Sequence, residues 1–379
     1  MKRILHLTHT DINTDSRILK EMLAISNDAS KVLGIGVNLD EGSKSVNQQY
    51  PFDIVSVSLF SRKLTFFPKV IRHSLTLLEL MFKVVLKSIL FKPDLIHCHD
   101  TVVLPIGVIT KFFCNAKLIY DAHELESNKN GTTKTMSWLT YNAEKIMWPK
   151  IDGLIVVSPS INKWYAENLG QKESEVILNS PVIDAKSREI KKNNYLRERF
   201  NISDDKKVFL YIGILGKGRG IELLCEVFKS SDIKSAIVFL GYGEFRDMLH
   251  TLSLEYENIH LHDAVPHNQV VTISQSADYG MCLVENVSLS DYYCLPNKFF
   301  EYCLAGIPVI SSKFPDLIEV IDHYNLGQYS DLNVNSVYNT VKYIESEDLT
   351  FSIDTESLYP LSWDCQADKL RTMYKKLLA

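Results

Sequence analysis

Short apolar segments alternate with helical patterns along this chain, and the alternation stops once and then restarts. Strands that alternate with helices favour a parallel, doubly wound sheet. Two such series, in a chain of 379 residues, predict an α/β protein with two domains that each have their own core. The predicted strands are 4–8, 31–37, 54–59, 95–99, 118–122 and 153–158, then 208–213, 236–241, 259–262, 279–284 and 309–312.

The interruption between the two series sets the predicted domain boundaries. Residues 180–207 contain a charged run, 186–199, and no clear strand, so we interpret them as a linker with a surface helix. This places an N-terminal domain at 1–185 and a C-terminal domain at 186–355, with a closing helix at 356–379 that we expect to pack back on the N-terminal domain. In sheets of this kind ligands bind at the carboxyl ends of the strands, so we expect a site in the cleft between the domains.

Composition excludes several classes of protein. The net charge is −5, which does not indicate nucleic-acid binding. The seven cysteines are scattered and contain no C-x-x-C pair, so we expect reduced, mostly buried thiols and neither a redox site nor a zinc site. The chain starts directly with a strand pattern, and no apolar run is long enough to span a bilayer, so we expect a cytoplasmic protein.

One segment, 295–310, predicts a helix followed at once by a buried strand. Pro296 suits a first helical position, and Gly306 suits the stop. Leu295, as the cap, has no oxygen to offer the first amides, so the helix start is open to an anion. Lys298 adds a positive charge there, and Glu301 lies one turn on, within reach of a ribose hydroxyl. The alternative is a solvated helix start with a Lys–Glu surface pair.

A glycine-rich loop, 213–220, follows a predicted strand and opens a helix. Its glycines let the backbone approach an anion closely, and Lys217 and Arg219 can neutralise a diphosphate. The lysine–serine ending of an ATPase P-loop is absent. The alternative is a tight turn with two cations in solvent.

Three histidines lie at or just past strand ends. A neutral His123 could hydrogen-bond a sugar hydroxyl, and its alternative role is structural. We expect His97 and His99 to point to opposite faces of their strand, so that one of them at most faces the cleft, and for that reason a metal site at this pair is not expected.

Residues 61–93 are locally basic, with seven lysines and arginines against the single acid Glu79. Polar residues form one stripe of the predicted helix at 64–91, and Leu75, Leu78, Phe82, Val85 and Ile89 fall on another face. A surface helix that covers a sheet has this pattern, and so has a helix that binds an anionic membrane or a lipid-linked acceptor.

Several motifs resemble those of the retaining family 4 glycosyltransferases of the GT-B fold, in the bacterial branch with an LPNK donor helix. The matching segments run in the same order as in that family: Asp15-Ser16-Arg17, Asp94 to Asp100, Tyr120 to Glu124, Gly213 to Gly220, Leu295 to Ile310, and Trp363 with its short helix. The resemblance implies two Rossmann-like domains, with the donor in the second domain and the acceptor in the first.

The resemblance also implies roles for single residues. Arg219 and Lys298 would hold the donor diphosphate, and His123 would line the sugar pocket. The remaining predicted donor-binding residues are Gly213, Gly216, Lys217, Gly218, Gly243, Val265, Leu295, Pro296, Asn297 and Glu301. The chain has no Asp-x-Asp, so the helix dipole and the two cations would replace a metal ion on the diphosphate, and no metal or other cofactor is expected.

The chain departs from the family pattern at some positions. Tyr293 stands where many members carry the first of two glutamates, Glu285 is the nearest upstream acid, and Ile214 follows Gly213 where many carry arginine. The expected partners are a nucleotide-sugar donor, a glycan or lipid-linked glycan acceptor and an anionic membrane surface at 61–93. Two alternatives remain: a sugar-nucleotide epimerase of the same fold, and a non-catalytic subunit of a glycan assembly complex.

Overall fold

A computed structural model describes residues 1–26, 30–38, 50–182, 191–347, 351, 353 and 357–379. The chain divides into two compact units, one of Met1–Ile177 with Gln366–Ala379, and one of Leu178–Cys365. The domain boundaries predicted at 185/186 and 355/356 both lie outside the described residues.

The N-terminal unit is built on a seven-stranded parallel sheet in the order β3-β2-β1-β4-β5-β6-β7. The chain runs outward from β1 to β3 and then returns to place β4 on the other side of β1. The topological switch point therefore lies between β1 and β4. The strands are β1 Lys2–Leu7, β2 Ser30–Val37, β3 Asp53–Val57, β4 Leu95–His99, β5 Lys117–Ala122, β6 Gly153–Val156 and β7 Glu173–Val176. The helices are α1 Ser16–Ile25, α2 Lys69–Phe91, α3 Leu104–Cys114, α4 Lys134–Met147 and α5 Pro159–Leu169.

The C-terminal unit has a six-stranded parallel sheet in the order β10-β9-β8-β11-β12-β13, with its switch point between β8 and β11. Its strands are β8 Val208–Ile214, β9 Ala236–Tyr242, β10 Ile259–Asp263, β11 Tyr279–Cys282, β12 Val309–Ser312 and β13 Gly327–Ser330. Its helices are α6 Tyr195–Phe200, α7 Ile221–Phe228, α8 Arg246–Glu255, α9 His267–Ser274, α10 Leu289–Tyr292, α11 Asn297–Ala305, α12 Pro315–Tyr324 and α13 Val334–Ser346. The predicted fold class, two doubly wound parallel α/β domains, is confirmed.

The last helix, α14 Trp363–Leu378, belongs to the N-terminal unit from Gln366 onwards. Its side chains reach several elements of that unit. Arg371 donates to the carbonyl of Ala24 over 3.1 Å, and the ammonium of Lys376 lies 2.7 Å from the carboxylate of Glu173. The hydroxyl of Tyr374 lies 2.5 Å from His97 Nδ1.

Helix α11 begins one residue later than the sequence predicted. Pro296 is its N-cap, with an extended ψ of 148°, and Asn297 is the first helical residue. Proline fixes φ but leaves ψ free to be extended, so it fits the cap as well as the first helical position. No side chain caps the helix start, and Gly306 ends the helix in the left-handed region, as predicted. The first amides of the helix therefore lack a side-chain acceptor.

Helix α2 packs through a different face from the predicted one. Its buried residues are Leu80, Val84 and Ser88, whereas Leu78 and Phe82 of the predicted apolar face are 63% and 73% exposed. Two apolar stripes therefore run along this helix, and one of them faces solvent. Among the described residues, no helix is both long and apolar enough to cross a membrane.

Candidate active site

In the C-terminal unit, helix α11 is fixed against the sheet by its tyrosine. The hydroxyl of Tyr302 accepts a hydrogen bond from the amide of Ile212 over 2.8 Å. A Cβ added to Gly280 on β11 would lie 2.2 Å from the Tyr302 ring, so the helix packs directly on that strand. This contact holds the start of α11 beside the carboxyl ends of β8 and β11, where the strand order reverses.

Lys298 lies in the first turn of α11, and its side chain is 8% exposed. Its ammonium lies 3.7 Å from the centre of the Tyr211 ring, a cation–π distance, and makes no hydrogen bond. Burial, with a smaller contribution from the positive charge of Arg219, lowers the pKa of Lys298 to about 8. The predicted alternative of a solvated Lys–Glu surface pair does not hold, because Glu301 is also buried, at 5% exposure.

The glycine-rich loop lies directly beside this lysine. A Cβ on Gly213 would lie 4.0 Å from Lys298 Cε, and Arg219, half-buried in the same loop, is close enough to affect the pKa of Tyr211. The structure therefore brings Gly213, Arg219 and Lys298 together. Two cations near each other, one with no hydrogen-bond partner, are suited to a doubly charged anion.

Other predicted donor residues lie on the loops around this point. Gly243 follows β9, and its missing side chain allows close contact with the β8 loop, because a Cβ there would lie 2.4 Å from the carbonyl oxygen of Leu215. Gly216 is buried and Gly218 is half-buried, both in the same loop, while Lys217 is exposed and donates its backbone amide to Glu244 over 3.2 Å. Leu295 is buried, Pro296 half-buried and Asn297 exposed at the start of α11.

Glu301 is linked to the loop that contains Val265. His267, two residues after the half-buried Val265, places its Nδ1 3.3 Å from Glu301 Oε1. Glu285 occupies a different place, at the start of α7: its Oε1 accepts from the amide of Gly220 over 3.4 Å, and its amide donates to the carbonyl of Gly218 over 3.1 Å. The amide at the start of α7 therefore already has a hydrogen-bond acceptor within the chain, the carboxylate of Glu285.

In the N-terminal unit, polar groups gather at the carboxyl ends of β1, β4 and β5. Asp100 follows β4 with a φ of 69°, a left-handed conformation that is costly for residues other than glycine and recurs at functional sites. Its carboxylate lies 4.0 Å from His9 Nδ1 and 3.7 Å from His123 Nδ1. Burial raises the pKa of Asp100 to about 6.

The carboxylates around His123 favour its protonated form. Its Nε2 lies 3.2 Å from the carboxylate of Asp121. Burial disfavours the imidazolium, but the charges of Asp121 and Asp100 outweigh it and raise the pKa of His123 to about 9. These contacts favour an imidazolium, which donates hydrogen bonds from both ring nitrogens, over the neutral ring considered from the sequence.

The prediction that His97 and His99 point to opposite faces of their strand is wrong. Side chains alternate along a strand, so residues two apart share a face. The two rings stack with their centres 4.2 Å apart, and both lie close to Asp121. The argument against a metal at this pair therefore has no structural basis.

A cavity of about 490 Å³ lies in the N-terminal unit next to these strand ends. It is lined by two arginines, two histidines, a threonine and four apolar side chains: Arg62, Arg72, His9, His73, Thr76, Leu59, Leu77, Leu80 and Val102. The basic segment is visible in the sequence but its pocket is not, since nothing in the spacing of Arg62 and Arg72 shows that His9 and Val102 face them.

Two family models match the chain, and together they cover most of it. The model described as Glycosyltransferase Family 4 matches residues 41–186, and the model described as Glycosyl transferases group 1 matches residues 193–346. An uncharacterized glycosyltransferase of Methanocaldococcus jannaschii is 24% identical over 247 residues, which are 61% of this chain and 60% of that protein.

Solved structures show the same fold. Sucrose-phosphate synthase from Thermosynechococcus elongatus has a TM-score of 0.77 at 14% identity, over 100% of this chain and 99% of that one. HepE from Anabaena, in complex with UDP and glucose, has a TM-score of 0.71 at 16% identity, over 100% and 99% of the two chains. The two family models and these structures agree with the two parallel sheets, and the chain belongs to the family 4 glycosyltransferases of the GT-B fold.

Proposed function

We propose that this chain is a retaining glycosyltransferase that moves a sugar from a nucleotide-diphosphate sugar to a hydroxyl of a bacterial glycan, free or lipid-linked. The observation that carries the proposal is the environment of Lys298. A buried ammonium without a hydrogen-bond partner is costly, and it lies beside an uncapped helix start and a second cation, Arg219. A diphosphate would supply the missing partner for all three.

The donor class has support from the relatives as well. HepE from Anabaena has been crystallised with UDP-glucose, and its chain superimposes on this one with a TM-score of 0.70 at 16% identity. In our proposal, Gly213, Gly216 and Gly218 let the backbone approach the diphosphate, while Gly243 and Val265 belong to the loops that hold the nucleotide base. Glu301, oriented by His267, binds the ribose.

Catalysis in this proposal is mainly stabilisation of the leaving group. As the bond between sugar and diphosphate breaks, negative charge grows on the diphosphate, and Arg219, Lys298 and the amides at the start of α11 bind it more tightly. The leaving phosphate then accepts the proton of the acceptor hydroxyl on the same face, which gives retention. No metal ion on the diphosphate is required, because the two cations supply its charge.

The acceptor belongs to the cavity of the N-terminal unit. Arg62 and Arg72 suit an anionic group such as the phosphate of a lipid-linked glycan, and the leucines suit an apolar one. His123, as an imidazolium, donates a hydrogen bond to a sugar hydroxyl at the same strand ends.

Helix α2 is the proposed membrane-binding element. Lys69 and Lys87 are exposed, and an unpacked apolar stripe lies beside them: Leu78, Phe82, Leu86 and Leu90 are 51–73% exposed. A helix with exposed apolar side chains and flanking lysines is suited to the interface of an anionic membrane. In this proposal the enzyme works on the inner face of the cell membrane, where lipid-linked acceptors are available.

The first test is nucleotide binding as a function of pH. We expect one or more nucleoside diphosphates to raise the melting temperature of the full chain, because a ligand that binds only the folded state stabilises it by mass action. The rise should shrink as the pH passes about 8, where free Lys298 loses its proton and its charge. In Lys298→Met the rise should be smaller and insensitive to pH over the same range. A wild-type response in this variant would remove Lys298 from the site.

A second test concerns the metal. We expect the initial rate of transfer to be unchanged when EDTA is mixed in at the start of the assay, since Arg219 and Lys298 replace the cation. The initial rate is the proper quantity, because an ion on the donor diphosphate would exchange with solvent at each turnover. A rate that falls at once with EDTA and returns with magnesium would contradict the proposal.

A further inference from the structure

A cluster of four metal-ligating side chains lies below the strand ends of the N-terminal unit. Glu21 comes from α1, His97 and His99 from β4, and Asp121 from β5, and all four are fully buried. One potential ligand atom from each residue lies within 4.8 Å of those of the other three. None of the proposed donor-binding residues is part of this cluster.

The distances within the cluster match those between the ligands of one metal ion. His97 Nε2 and His99 Nδ1 lie 3.3 and 3.4 Å from Asp121 Oδ2. The same two nitrogens lie 3.7 and 4.0 Å from Glu21 Oε2. In a tetrahedral zinc site with bonds of about 2.0–2.2 Å, neighbouring ligands are roughly 3.3–3.6 Å apart, so small side-chain movements would complete the site.

The outer atom of each ligand is already held in place. His97 Nδ1 lies 2.5 Å from the Tyr374 hydroxyl, and His99 Nε2 lies 2.9 Å from His6 Nδ1. Arg17 Nη2 donates to Asp121 Oδ1 over 3.1 Å and to Oδ2 over 3.3 Å, and its Nε lies 3.0 Å from Glu21 Oε1, close enough for an ion pair but without hydrogen-bond geometry. Metal-binding histidines and carboxylates are characteristically oriented by such outer contacts.

Two observations favour the binding of a cation at this cluster. Glu21 Oε2 is fully buried and has no hydrogen-bond partner, although it faces the two imidazoles. Three carboxylates gather here, the fully buried Glu21 and Asp121 and the half-buried Asp100; Arg17 contacts the first two, and His123 contacts Asp121 and Asp100. A doubly charged ion between Glu21 and Asp121 would be neutralised by its own two ligand carboxylates.

We propose that Glu21, His97, His99 and Asp121 form a structural site for a divalent transition-metal ion of the zinc class. Two imidazoles and two carboxylates are a ligand set that zinc accepts, and the ion would replace the 3.1 Å contact between His99 Nδ1 and His123 Nε2. The ion joins α1, β4 and β5, and through its outer contacts it also fixes β1 and α14. It therefore stabilises the N-terminal unit and takes no part in the binding of the donor diphosphate.

The test measures metal binding directly on the untagged full chain. Metal is first removed with a chelator, and Zn²⁺ is then added back. We expect one Zn²⁺ per chain by elemental analysis, competition with a chromophoric chelator, and a higher melting temperature when Zn²⁺ is restored. Co²⁺ in its place should give the visible absorption of a tetrahedral ion. A chain that takes up no stoichiometric Zn²⁺ and shows no rise in melting temperature would overturn the proposal.

Three variants separate this site from binding elsewhere on the surface. Glu21→Gln keeps the volume but removes a ligand, and Tyr374→Phe keeps all four ligands but removes the hydroxyl that contacts His97 and, over 3.3 Å, His6. We expect Tyr374→Phe to weaken Zn²⁺ binding by about 10–100-fold, as loss of such partners does, and Glu21→Gln to weaken it more. The matched control His250→Ala changes an exposed histidine and should bind as wild type does.

The metal-free melting temperatures of these variants show whether each one folds. If Glu21→Gln and Tyr374→Phe fold and bind Zn²⁺ as tightly as the wild type, the ion lies elsewhere and the assignment fails. The cluster is then a hydrogen-bonded network in which protons alone balance the charge.

Discussion

Arg219→Ala and Lys298→Ala are each expected to lower kcat by a factor of about 10² or more, since loss of one contact to developing charge costs roughly 3 kcal/mol. Arg219 lies in the glycine-rich loop and Lys298 beside it, and among the described residues the Lys298 ammonium has no hydrogen-bond partner that would compete with the diphosphate. Steady-state kinetics at saturating donor would give the effect on kcat, with circular dichroism as the check on folding.

Glu301→Gln provides the contrast, because its proposed partner is the ribose, whose charge does not change in the reaction. We expect this variant mainly to raise KM for the donor and to leave kcat close to the wild-type value. Lys313→Ala, which changes an exposed lysine after β12, is the matched control for loss of a positive charge. Near-wild-type turnover in both cation variants would refute the assignment of the diphosphate site.

Reversal of the exposed charges on α2 is expected to abolish binding to anionic vesicles. Each lysine near the surface contributes about 1 kcal/mol, so Lys69→Glu/Lys87→Glu should cost roughly 4 kcal/mol when lost attraction and new repulsion are added. Phe82→Ser should weaken binding independently of salt, because its side chain is 73% exposed and the proposed contact is apolar. Co-sedimentation with vesicles that contain anionic lipid, over a series of salt concentrations, measures both effects.

The control for the vesicle experiment reverses two exposed lysines of the C-terminal unit, Lys234 and Lys313. This double variant has the same net charge as the α2 variant, so any difference between them reports the position of the charges. If wild-type protein does not co-sediment with anionic vesicles at low salt, α2 is a surface helix of the fold and no more.

Much of the fold could be predicted from the sequence, because buried parallel strands appear as short, continuous apolar runs. The two strands that were missed lie at sheet edges. β7 has two glutamates, Glu173 and Glu175, and β13 is the four-residue segment Gly327–Ser330. Edge strands are short and polar in many proteins, so their hydrophobic pattern is weak.

The candidate site residues of the two units differed in how much could be predicted about them. The positions of Lys298, Arg219 and Gly213 follow from local patterns, a helix start and a glycine-rich loop. The contact of Lys298 with Tyr211 and the charge of His123 depend on partners far away in sequence. Arg17 and Glu21, four residues apart on one helix, could have been recognised as a pair, but nothing in the sequence joins them to His97 and Asp121.

The central claim, transfer from a nucleotide sugar, is tested most directly by product analysis. A panel of nucleotide-diphosphate sugars would be incubated with the full chain, with and without a lipid-linked glycan fraction, and each mixture analysed by mass spectrometry and NMR. We predict that one donor releases its nucleoside diphosphate in proportion to new glycan product, with the anomeric configuration retained, and that Lys298→Ala does so at least about 10²-fold more slowly. Conversion of the nucleotide sugar to an epimer without an acceptor, or no change in any donor, would contradict the account.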